Sequence, residues 1–268
     1  MKIELAGVPE TLLWNLYNRA AEARRPDSIL DDPKAVELVE SIDYPFEKFG
    51  GTQMAQWHAL RVKRFDEEVR RFRAEHPGGL VVALGEGLET QFWRVDDGQV
   101  RWLTVDLPET LEVRRRLLPD DPPRRRSLAA SAVDHAWMDE VDASNGVLIS
   151  AQGLLMYLRP PEVKALIAAC AGRFPGGTLL FDALPRALVK RSQEGKIKSP
   201  GGYQAPAWQW GIDPDEIPEI AAVSPKIAEV RDLPLPRGRR LLALAPWAHR
   251  IPVVRNMRMM IVSVRFGD

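Results

Sequence analysis

The fold of this chain is constrained most by an alternation of short apolar runs with helical segments between residues 81 and 182. The runs are strand-like because they are short and rich in Val, Leu and Ile. They are VVAL (81–84), RWLTV (101–105), SLAAS (127–131), GVLIS (147–150 at its apolar core) and TLLFD (178–182). Parallel strands need crossover connections, so the alternation predicts an α/β fold with a doubly wound, mainly parallel, Rossmann-like sheet. Two later strands, near 226–233 and 258–266, bring the expected sheet to seven strands.

Helices come before the first predicted strand. Residues 9–25 and 57–75 carry apolar side chains at helical spacing, which indicates two amphipathic helices. Asp31 or Asp32 caps a further helix between them, and Pro33 suits its first position. The chain therefore begins with a helical layer outside the sheet.

A change of composition follows the fifth predicted strand. This segment is rich in proline, glycine and aromatic residues, including Tyr203, Trp208 and Trp210. We interpret it as a lid-like insertion late in the sheet, whose rings either cover a flat apolar ligand or pack on the sheet. We expect a single domain over 1–268, divided into an N-terminal helical layer (1–76), a ligand-binding core (77–184), the insertion (185–225) and the closing strands (226–268).

Composition and charge exclude several classes of protein. The chain has 268 residues, with 37 Lys and Arg against 37 Asp and Glu, so its total charge gives no general attraction to nucleic acid or membrane. No apolar run approaches the roughly 20 residues that span a bilayer. The N-terminus lacks the apolar core of a signal peptide. The arginine clusters at 114–116 and 124–126 are expected to lie on a solvated face.

Cysteine and histidine usage bears on the compartment and on metal binding. The one cysteine, Cys170, lies in the apolar run ALIAACAG, which indicates a buried structural thiol rather than a nucleophile. A single cysteine forms no intrachain disulfide, so a reducing cytoplasmic location is expected. The four histidines lack the spacing of metal ligands, and no metal site is expected.

A glycine loop, Gly85–Glu86–Gly87, follows the first predicted strand in the stretch LGEGLET. Ligands of doubly wound sheets bind beyond the carboxyl ends of the strands, where this loop lies. A dinucleotide pyrophosphate favours a third glycine and no nearby carboxylate, but Thr90 stands where that glycine would be. The loop therefore disfavours a nicotinamide-dependent oxidoreductase and suits a cofactor without phosphates, S-adenosylmethionine. A plain turn is the alternative.

Three polar residues follow the next predicted strands. Asp106, about 20 residues beyond the glycine loop, is placed either to accept hydrogen bonds from ribose hydroxyls or to cap the helix that starts at Leu107–Pro108. Asp134 is interpreted as an acceptor for an adenine amino group or as a loop cap. Gln152 follows the fourth strand and is expected to point toward the same crevice.

These motifs, in the order LGEGLET, VDLPE, SAVDHAWMDE and AQGLLMYL, resemble the class I S-adenosylmethionine-dependent methyltransferases. More narrowly, they resemble the leucine carboxyl methyltransferase family, including its bacterial O-methyltransferases of polyketide-type metabolism. The resemblance covers residues 11 to about 185 and includes NRAAEARRPDSILDDPKA and RVKRFD. It implies that Arg19 and Arg61 hold the methionine carboxylate, for which a guanidinium fork is suited. A solvated helix arginine is the alternative for each.

Three residues depart from the family pattern. Glu86 replaces a small residue, Gln91 replaces the arginine that usually follows the threonine, and Gln152 replaces the glutamate of AEGLLMYL. Gln152 keeps an acceptor oxygen but loses the charge near the cofactor's amino end. Either ammonium binding is weakened or Glu86 compensates. The departures also motivate a second hypothesis, a cofactor-binding protein of the same fold that no longer methylates.

The predicted function is S-adenosylmethionine-dependent O-methyl transfer to a carboxylate or phenolic hydroxyl of a small metabolite. The expected partner is a small-molecule acceptor, with no nucleic acid and no membrane, and the oligomeric state is left open. Tyr157 is the candidate catalytic residue because it resembles a family position near the acceptor. His135, beside Asp134, is placed in the adenine pocket. The predicted cofactor-binding residues are Arg19, Arg61, Gly85, Glu86, Gly87, Asp106, Leu107, Asp134, His135 and Gln152.

Overall fold

Seven strands form a single sheet in the computed structural model, which describes residues 8–119, 122–197 and 206–268. The strands are β1 (Leu80–Leu84), β2 (Arg101–Asp106), β3 (Arg125–Ala129), β4 (Val147–Ala151), β5 (Thr178–Ala183), β6 (Ile227–Leu233) and β7 (Met260–Phe266). Their order across the sheet is β3-β2-β1-β4-β5-β7-β6. Strands β1 to β5 are parallel, and β7 runs antiparallel to both β5 and β6. The predicted α/β, mainly parallel seven-stranded sheet is confirmed.

Helices precede the sheet and cover its two faces. The α-helices in the described part of the chain are α1 (Val8–Ala23), α2 (Pro33–Ser41), α3 (Ala55–Glu75), α4 (Gln91–Val95), α5 (Pro108–Leu117), α6 (Pro160–Arg173), α7 (Arg186–Gln193) and α8 (Pro252–Arg255). The longer 3₁₀ segments are His135–Glu140, Pro214–Val223 and Arg240–Arg250. Asp32, rather than Asp31, caps α2, because its carboxylate accepts from the Ala35 amide at 3.1 Å.

The core lies on both faces of the sheet. Strands β1 and β4 are buried along their whole length, as expected for central strands covered by helices on both sides. One apolar cluster packs α6 against the sheet, and another packs α3 against the opposite face. Cys170 on α6 is fully buried, and burial raises the pKa of its thiol to about 12. The thiol is therefore protonated at neutral pH, which confirms the structural role expected for it.

The parallel register brings the carboxyl ends of the central strands to one edge of the sheet. Leu84 at the end of β1 pairs with Val105 of β2, and Ala83 pairs with Ser150 of β4. Because β6 runs in the same direction as β5, the connection from β6 to β7 also crosses this edge. The loops that follow β1, β2 and β4 thus converge there, and helices α1 and α3 pack beside them.

Two segments were interpreted from the sequence as surface features, the arginine clusters and the insertion. Arg114 and Arg125, one from each arginine cluster, are 2% and 4% exposed, so the prediction of solvated clusters was wrong for these two, whereas Arg115, Arg116 and Arg126 are exposed as expected. In the proposed insertion, Trp208 and Trp210 pack beside Tyr157 and Phe181, whereas Tyr203 lies outside the described residues. No helix within the described residues is long and apolar enough to cross a membrane.

Candidate functional site

A cavity opens at the carboxyl edge of the sheet, with an empty volume of about 1290 Å³ that includes space open to solvent. Its walls come from the ends of β1, β2 and β4 and from α1 and α3. Most of the residues predicted to form a site meet around it. Those that line the cavity are Arg19, Arg61, Gly85, Glu86, Asp106, Leu107, Gln152 and Tyr157.

The glycine loop requires glycine for two separate reasons. Gly85 and Gly87 have φ angles of +59° and +55°, in the left-handed region that other residues rarely adopt. A Cβ at Gly87 would also lie 2.3 Å from Leu12 on α1, and one at Gly85 would lie 2.9 Å from Leu154. Gly87 is therefore the point where α1 packs onto the loop, which explains why it lies behind the cavity wall rather than in it.

Asp106 ends β2 with its carboxylate held in place by the backbone. One oxygen accepts from the Gly87 amide at 2.7 Å, and the other accepts from the Leu107 amide at 2.8 Å. Burial raises the pKa of Asp106, and the nearby Glu86 carboxylate adds to this increase. Helix α5 begins with Leu107 as its cap and no side-chain capping bond, so the alternative of Asp106 as a helix cap is not observed. Each carboxylate oxygen keeps a lone pair for a ligand hydroxyl.

Glu86 points its carboxylate away from the cavity and into the sheet core. The two oxygens pair with Arg114 at 3.3 Å and Arg125 at 3.0 Å, and Thr104 donates to the same carboxylate. Because these partners engage the carboxylate, the other atoms of Glu86 are the part of the residue that lines the cavity. The geometry therefore does not favour Glu86 as the residue that compensates for Gln152.

Glu89, which the sequence interpretation overlooked, is a second carboxylate at the cavity, besides Asp106. It pairs with Arg19 at 3.1 Å and Arg94 at 2.7 Å, and Gln152 donates to it at 3.3 Å. Burial by itself would raise the pKa of Glu89, but the two guanidiniums outweigh burial and lower it to about 2. The signal that identifies Glu89 is its place inside LGEGLET, since a carboxylate in a buried loop needs cationic partners.

Arg94 connects this carboxylate to the N-terminal helical layer. Its guanidinium contacts Asp32 and Asp66, each at 2.8 Å, in addition to Glu89. Gln91, where the family pattern places an arginine, donates to the same Asp66 at 3.0 Å. A buried arginine, Arg94, is thus present one helical turn beyond the position where the family pattern has one. The charged groups of this region therefore remain paired although Gln91 replaces that arginine.

Arg19 and Arg61 both reach the cavity from the helical layer, but they differ in how far they are already engaged. Arg19 pairs with Glu89 and Asp32 and donates to the Leu88 carbonyl at 2.8 Å. Arg61 pairs with Asp182 at the end of β5, at 2.9 Å. Its Nε is buried and has no hydrogen-bond partner among the described residues. Arg61 therefore retains a donor that Arg19 largely lacks.

Two residues that line the cavity each have a buried polar atom with no hydrogen-bond partner among the described residues, the Arg61 Nε and the Gln152 Oε1. Buried polar atoms in folded proteins nearly always have a partner, so both atoms are candidate contacts for a ligand. A carboxylate suits the guanidinium, and an ammonium suits the amide oxygen next to Glu89. Arg61, Gln152 and Glu89 together therefore fit the carboxylate and the ammonium at the amino-acid end of S-adenosylmethionine.

Tyr157 also lines the cavity, in a small cluster with Met156, Leu184 and Trp208. Burial raises the pKa of its phenol, and a hydrogen bond to Thr11 offsets only part of that increase. The phenol therefore stays protonated at neutral pH and can donate a hydrogen bond.

Asp134 and His135 are not brought into the cavity. Asp134 is exposed and accepts from the Ala136 amide at 3.2 Å, which makes it the cap of a 3₁₀ helix. His135 is partly exposed beside it, whereas Ser131 and Ala132 line the cavity. The structure thus supports the loop-cap alternative for Asp134, and the adenine contacts stay a prediction. No group of three or more His, Cys, Asp or Glu side chains in the described ranges is arranged to hold a metal.

The parallel sheet, the glycine loop after β1 and the acid at the end of β2 are typical of doubly wound folds that bind a nucleoside-containing cofactor beyond the carboxyl ends of their strands. Solved structures with the same fold include the CurJ carbon methyltransferase, with a TM-score of 0.57 and 12% identity over 97% of this chain and 67% of that one. The methyltransferase domain of bacterial-CtHen1-CN aligns with a TM-score of 0.51 and 12% identity, over 77% of this chain and 99% of that one. At these identities the likeness concerns the fold alone.

Residues 13–171 match leucine carboxyl methyltransferase, and the chain belongs to this family. It is 34% identical over 213 residues to the tetracenomycin polyketide synthesis O-methyltransferase of Streptomyces glaucescens, covering 78% of this chain and 77% of that one. It is 27% identical over 202 residues to the S-adenosyl-L-methionine-dependent methyltransferase dpfgK of Gibberella zeae, covering 68% of each. The protein is therefore an S-adenosylmethionine-dependent methyltransferase, and the family and cofactor predicted from the motifs are confirmed.

Proposed function

We propose that the protein methylates an oxygen atom of a small apolar metabolite, and that this oxygen arrives at the site already deprotonated. The similarity to a polyketide synthesis O-methyltransferase supports oxygen as the acceptor atom. The observation that carries the proposal is that the titratable side chains lining the cavity are not placed to act as a base: Glu89 is paired with two arginines, Tyr157 is protonated, and the Asp106 carboxylate is held by two backbone amides. A carboxylate, or a phenol of low pKa, needs no base at neutral pH.

The cofactor's position is assigned residue by residue. Asp106 accepts from the ribose hydroxyls, Arg61 holds the carboxylate, and Gln152 with Glu89 accepts from the ammonium. Arg19 acts indirectly, by forming an ion pair with Glu89 at 3.1 Å. When bound, S-adenosylmethionine supplies an electrophilic methyl group on a sulfonium. The protein's contribution is to hold the two reactants in line and to exclude water.

Tyr157 is assigned the acceptor side of the cavity. Because burial raises its pKa, the phenol is a hydrogen-bond donor at neutral pH and is no base. Its hydroxyl orients the acceptor oxygen. Glu89 is ionised but committed to two arginines, so it is no base either. Tyr157→Phe is expected to lower kcat/KM about tenfold, the value of one hydrogen bond to a charged group.

The segment over 185–225 is proposed as a lid for the acceptor. It is attached next to Tyr157, because the Gln209 amide donates to the Met156 carbonyl at 2.7 Å and the Gln209 side chain donates to the Tyr157 carbonyl at 2.9 Å. Limited proteolysis tests this role. Cleavage is expected first within this segment and is expected to slow when cofactor and acceptor are both present. Cleavage elsewhere at a rate that ligands leave unchanged would contradict it.

The acceptor class is tested with radiolabelled S-adenosylmethionine and three matched aromatic compounds: a carboxylic acid, the corresponding phenol and the corresponding amide. The acid is expected to give a base-labile methyl ester at a rate that is flat between neutral and alkaline pH. The phenol is expected to react faster as the pH rises, and the amide is expected not to react. Methylation of the amide would contradict the proposal. Tight cofactor binding with no transfer to any compound in a broad metabolite panel would favour a protein that no longer methylates.

The carboxylate contact is tested with a cofactor analogue that lacks the carboxylate. Wild type is expected to bind the analogue more weakly than the intact cofactor, whereas Arg61→Ala is expected to bind both almost equally. The coupling vanishes once either partner is absent. Arg71→Ala, on the same helix with its guanidinium partly exposed, is the matched control and should still discriminate. If Arg61→Ala discriminates as strongly as wild type, Arg61 does not hold the carboxylate.

A further inference from the structure

Exposed large apolar side chains are concentrated in one segment of the molecule. Eight such side chains are exposed in the described part of the chain, and six of them lie between residues 241 and 257. Leu241 is 86% exposed and Met257 is 68% exposed. The six are Leu241, Leu244, Trp247, Ile251, Val254 and Met257. Scattered apolar residues are normal on a surface, but a contiguous set marks an interaction site.

The backbone of this segment presents three of these apolar side chains on one side. Residues three apart align in a 3₁₀ helix, so Leu241, Leu244 and Trp247 share the outer side of Arg240–Arg250. Leu242 and Ala245 face inward and pack in the core cluster that contains α3. The segment is thus anchored by one side and leaves the other side uncovered. We call the uncovered side, over Arg237–Met257, the basic apolar surface.

This surface carries an excess of positive charge, although two of its arginines are paired, Arg239 with Glu22 and Asp27 and Arg255 with Asp215. The chain has no acidic residue between Asp232 and Asp268, yet it has seven arginines over the same stretch. Arg237, Arg240 and Arg250 are exposed, and no carboxylate of the described residues pairs with them. The guanidinium of Arg237 lies 5.5 Å from the centre of the Trp247 ring. The total charge of the chain is balanced, which led to the expectation that the protein does not bind a membrane. That total conceals the local excess of positive charge at this surface.

The basic apolar surface lies at the same end of the molecule as the cavity. The segment connects β6 to β7 at the carboxyl edge of the sheet. Arg239 pairs with Glu22 of α1, and a Cβ at Gly238 would lie 3.1 Å from Leu60 of α3. Helices α1 and α3 also form one wall of the cavity.

We propose that the basic apolar surface docks the protein on an anionic lipid membrane. Projecting Leu, Ile, Met and Trp side chains bordered by arginines suit the boundary between headgroups and acyl chains, where apolar groups insert and guanidiniums contact phosphates. A second copy is a poor occupant, because a two-fold contact would bring the arginines of both copies together. Docking does not depend on which acceptor the enzyme methylates.

The test is co-sedimentation of the whole chain with vesicles of phosphatidylcholine, alone or mixed with phosphatidylglycerol. The protein is expected to bind the mixed vesicles, and salt is expected to weaken the binding. Arg237→Ala with Arg250→Ala is expected to weaken binding roughly 30-fold, because each arginine near an anionic surface contributes about fivefold. Leu241→Ser with Leu244→Ser is expected to weaken it by more than about tenfold, through lost apolar burial.

Matched controls separate this surface from general effects. Met54→Ser removes an exposed apolar side chain elsewhere, and Arg126→Ala with Arg173→Ala removes two exposed charges elsewhere. Both controls should bind vesicles as wild type does. All variants should retain cofactor binding and the thermal unfolding transition, since every changed side chain is exposed.

Several outcomes would overturn the proposal. One is that wild type fails to bind the mixed vesicles. Another is that the control variants lose as much binding as the variants in the basic apolar surface. A third is dimerisation in analytical ultracentrifugation that Leu241→Ser with Leu244→Ser abolishes, without vesicle binding, which would make the surface a contact between copies.

Discussion

Two buried ion networks meet at the glycine loop, and they differ in what they face. The inner network joins Glu86 to Arg114 and Arg125, so it ties the loop to α5 and β3 inside the sheet core. The outer network joins Glu89 to Arg19 and Arg94, so it ties the loop to the helical layer and reaches Gln152 in the cavity. The two glutamates are three residues apart and both are buried.

The difference shows that burial and pairing alone do not identify a ligand-binding charge. The carboxylate of Glu86 is surrounded by protein groups, so its pairs affect the folded state. The carboxylate of Glu89 lines the cavity, so its pairs also set the charge that a bound ligand experiences. We therefore expect loss of the inner network to change stability, and loss of the outer network to change both stability and cofactor affinity.

The largest effect is expected for Glu86→Gln. Removing the charge breaks the two buried ion pairs that Glu86 makes with Arg114 and Arg125, so the free energy of unfolding should fall by about 3–5 kcal/mol. The dissociation constant for S-adenosylmethionine should change little. Urea denaturation and calorimetric titration measure the two quantities, with the exposed Glu140→Gln as the control. The comparison fails if this variant is as stable as wild type or loses affinity as much as a Glu89 variant does.

The next effect concerns the acid dependence of stability. The pKa of Glu89 is lowered from its ordinary value of 4.5 to about 2 in the folded state. Its contribution to stability is therefore complete above pH 4.5 and is lost as the pH falls toward 2, and it amounts to up to about 3 kcal/mol. Glu89→Gln should flatten the stability profile over this range and should weaken cofactor binding.

A profile for Glu89→Gln that remains as steep as that of wild type would show that other groups carry the acid dependence. Unchanged cofactor affinity in the same variant would remove the distinction between the two networks. Glu86→Gln, measured in parallel, provides the reference for a variant that affects the folded state alone.

A smaller effect is expected for Asp106→Ala. Asp106 holds the Gly87 amide and is proposed to accept from the ribose, so the loss of charge-assisted hydrogen bonds should weaken cofactor affinity by roughly 1.5–3 kcal/mol. Titration with S-adenosylmethionine and with NAD measures this. The first ligand should bind wild type and the second should not. Equal affinity of wild type and variant would refute the ribose assignment.

The smallest effect is expected for Asp134→Ala, outside both networks. The side chain caps a 3₁₀ helix at the surface, so its loss should reduce stability by about 0.5–1 kcal/mol. Cofactor affinity should be within twofold of that of wild type. A clear loss of affinity without loss of stability would restore the adenine contact predicted from the sequence.

The strands and the glycine loop could be predicted from the local pattern of the sequence. Each predicted strand overlaps an observed one, and Gly85 and Gly87 require glycine for a reason that is visible in the backbone itself. The motif order also predicted the family and the cofactor. Local sequence determines these features because side-chain periodicity and backbone freedom depend on neighbours in the chain.

The partners of the buried charges could not be predicted from local sequence. Arg114 and Arg125 were expected to be solvated, yet both pair with Glu86, over separations of 28 and 39 residues. The partners of Glu89 likewise come from α1 and α4. The direction of a carboxylate depends on cations that distant segments bring to it, because an unpaired charge is too costly to bury. The fold, the family and the cofactor could thus be read from the sequence, whereas the electrostatics of the site depend on how α1, α3 and α5 pack around the loop.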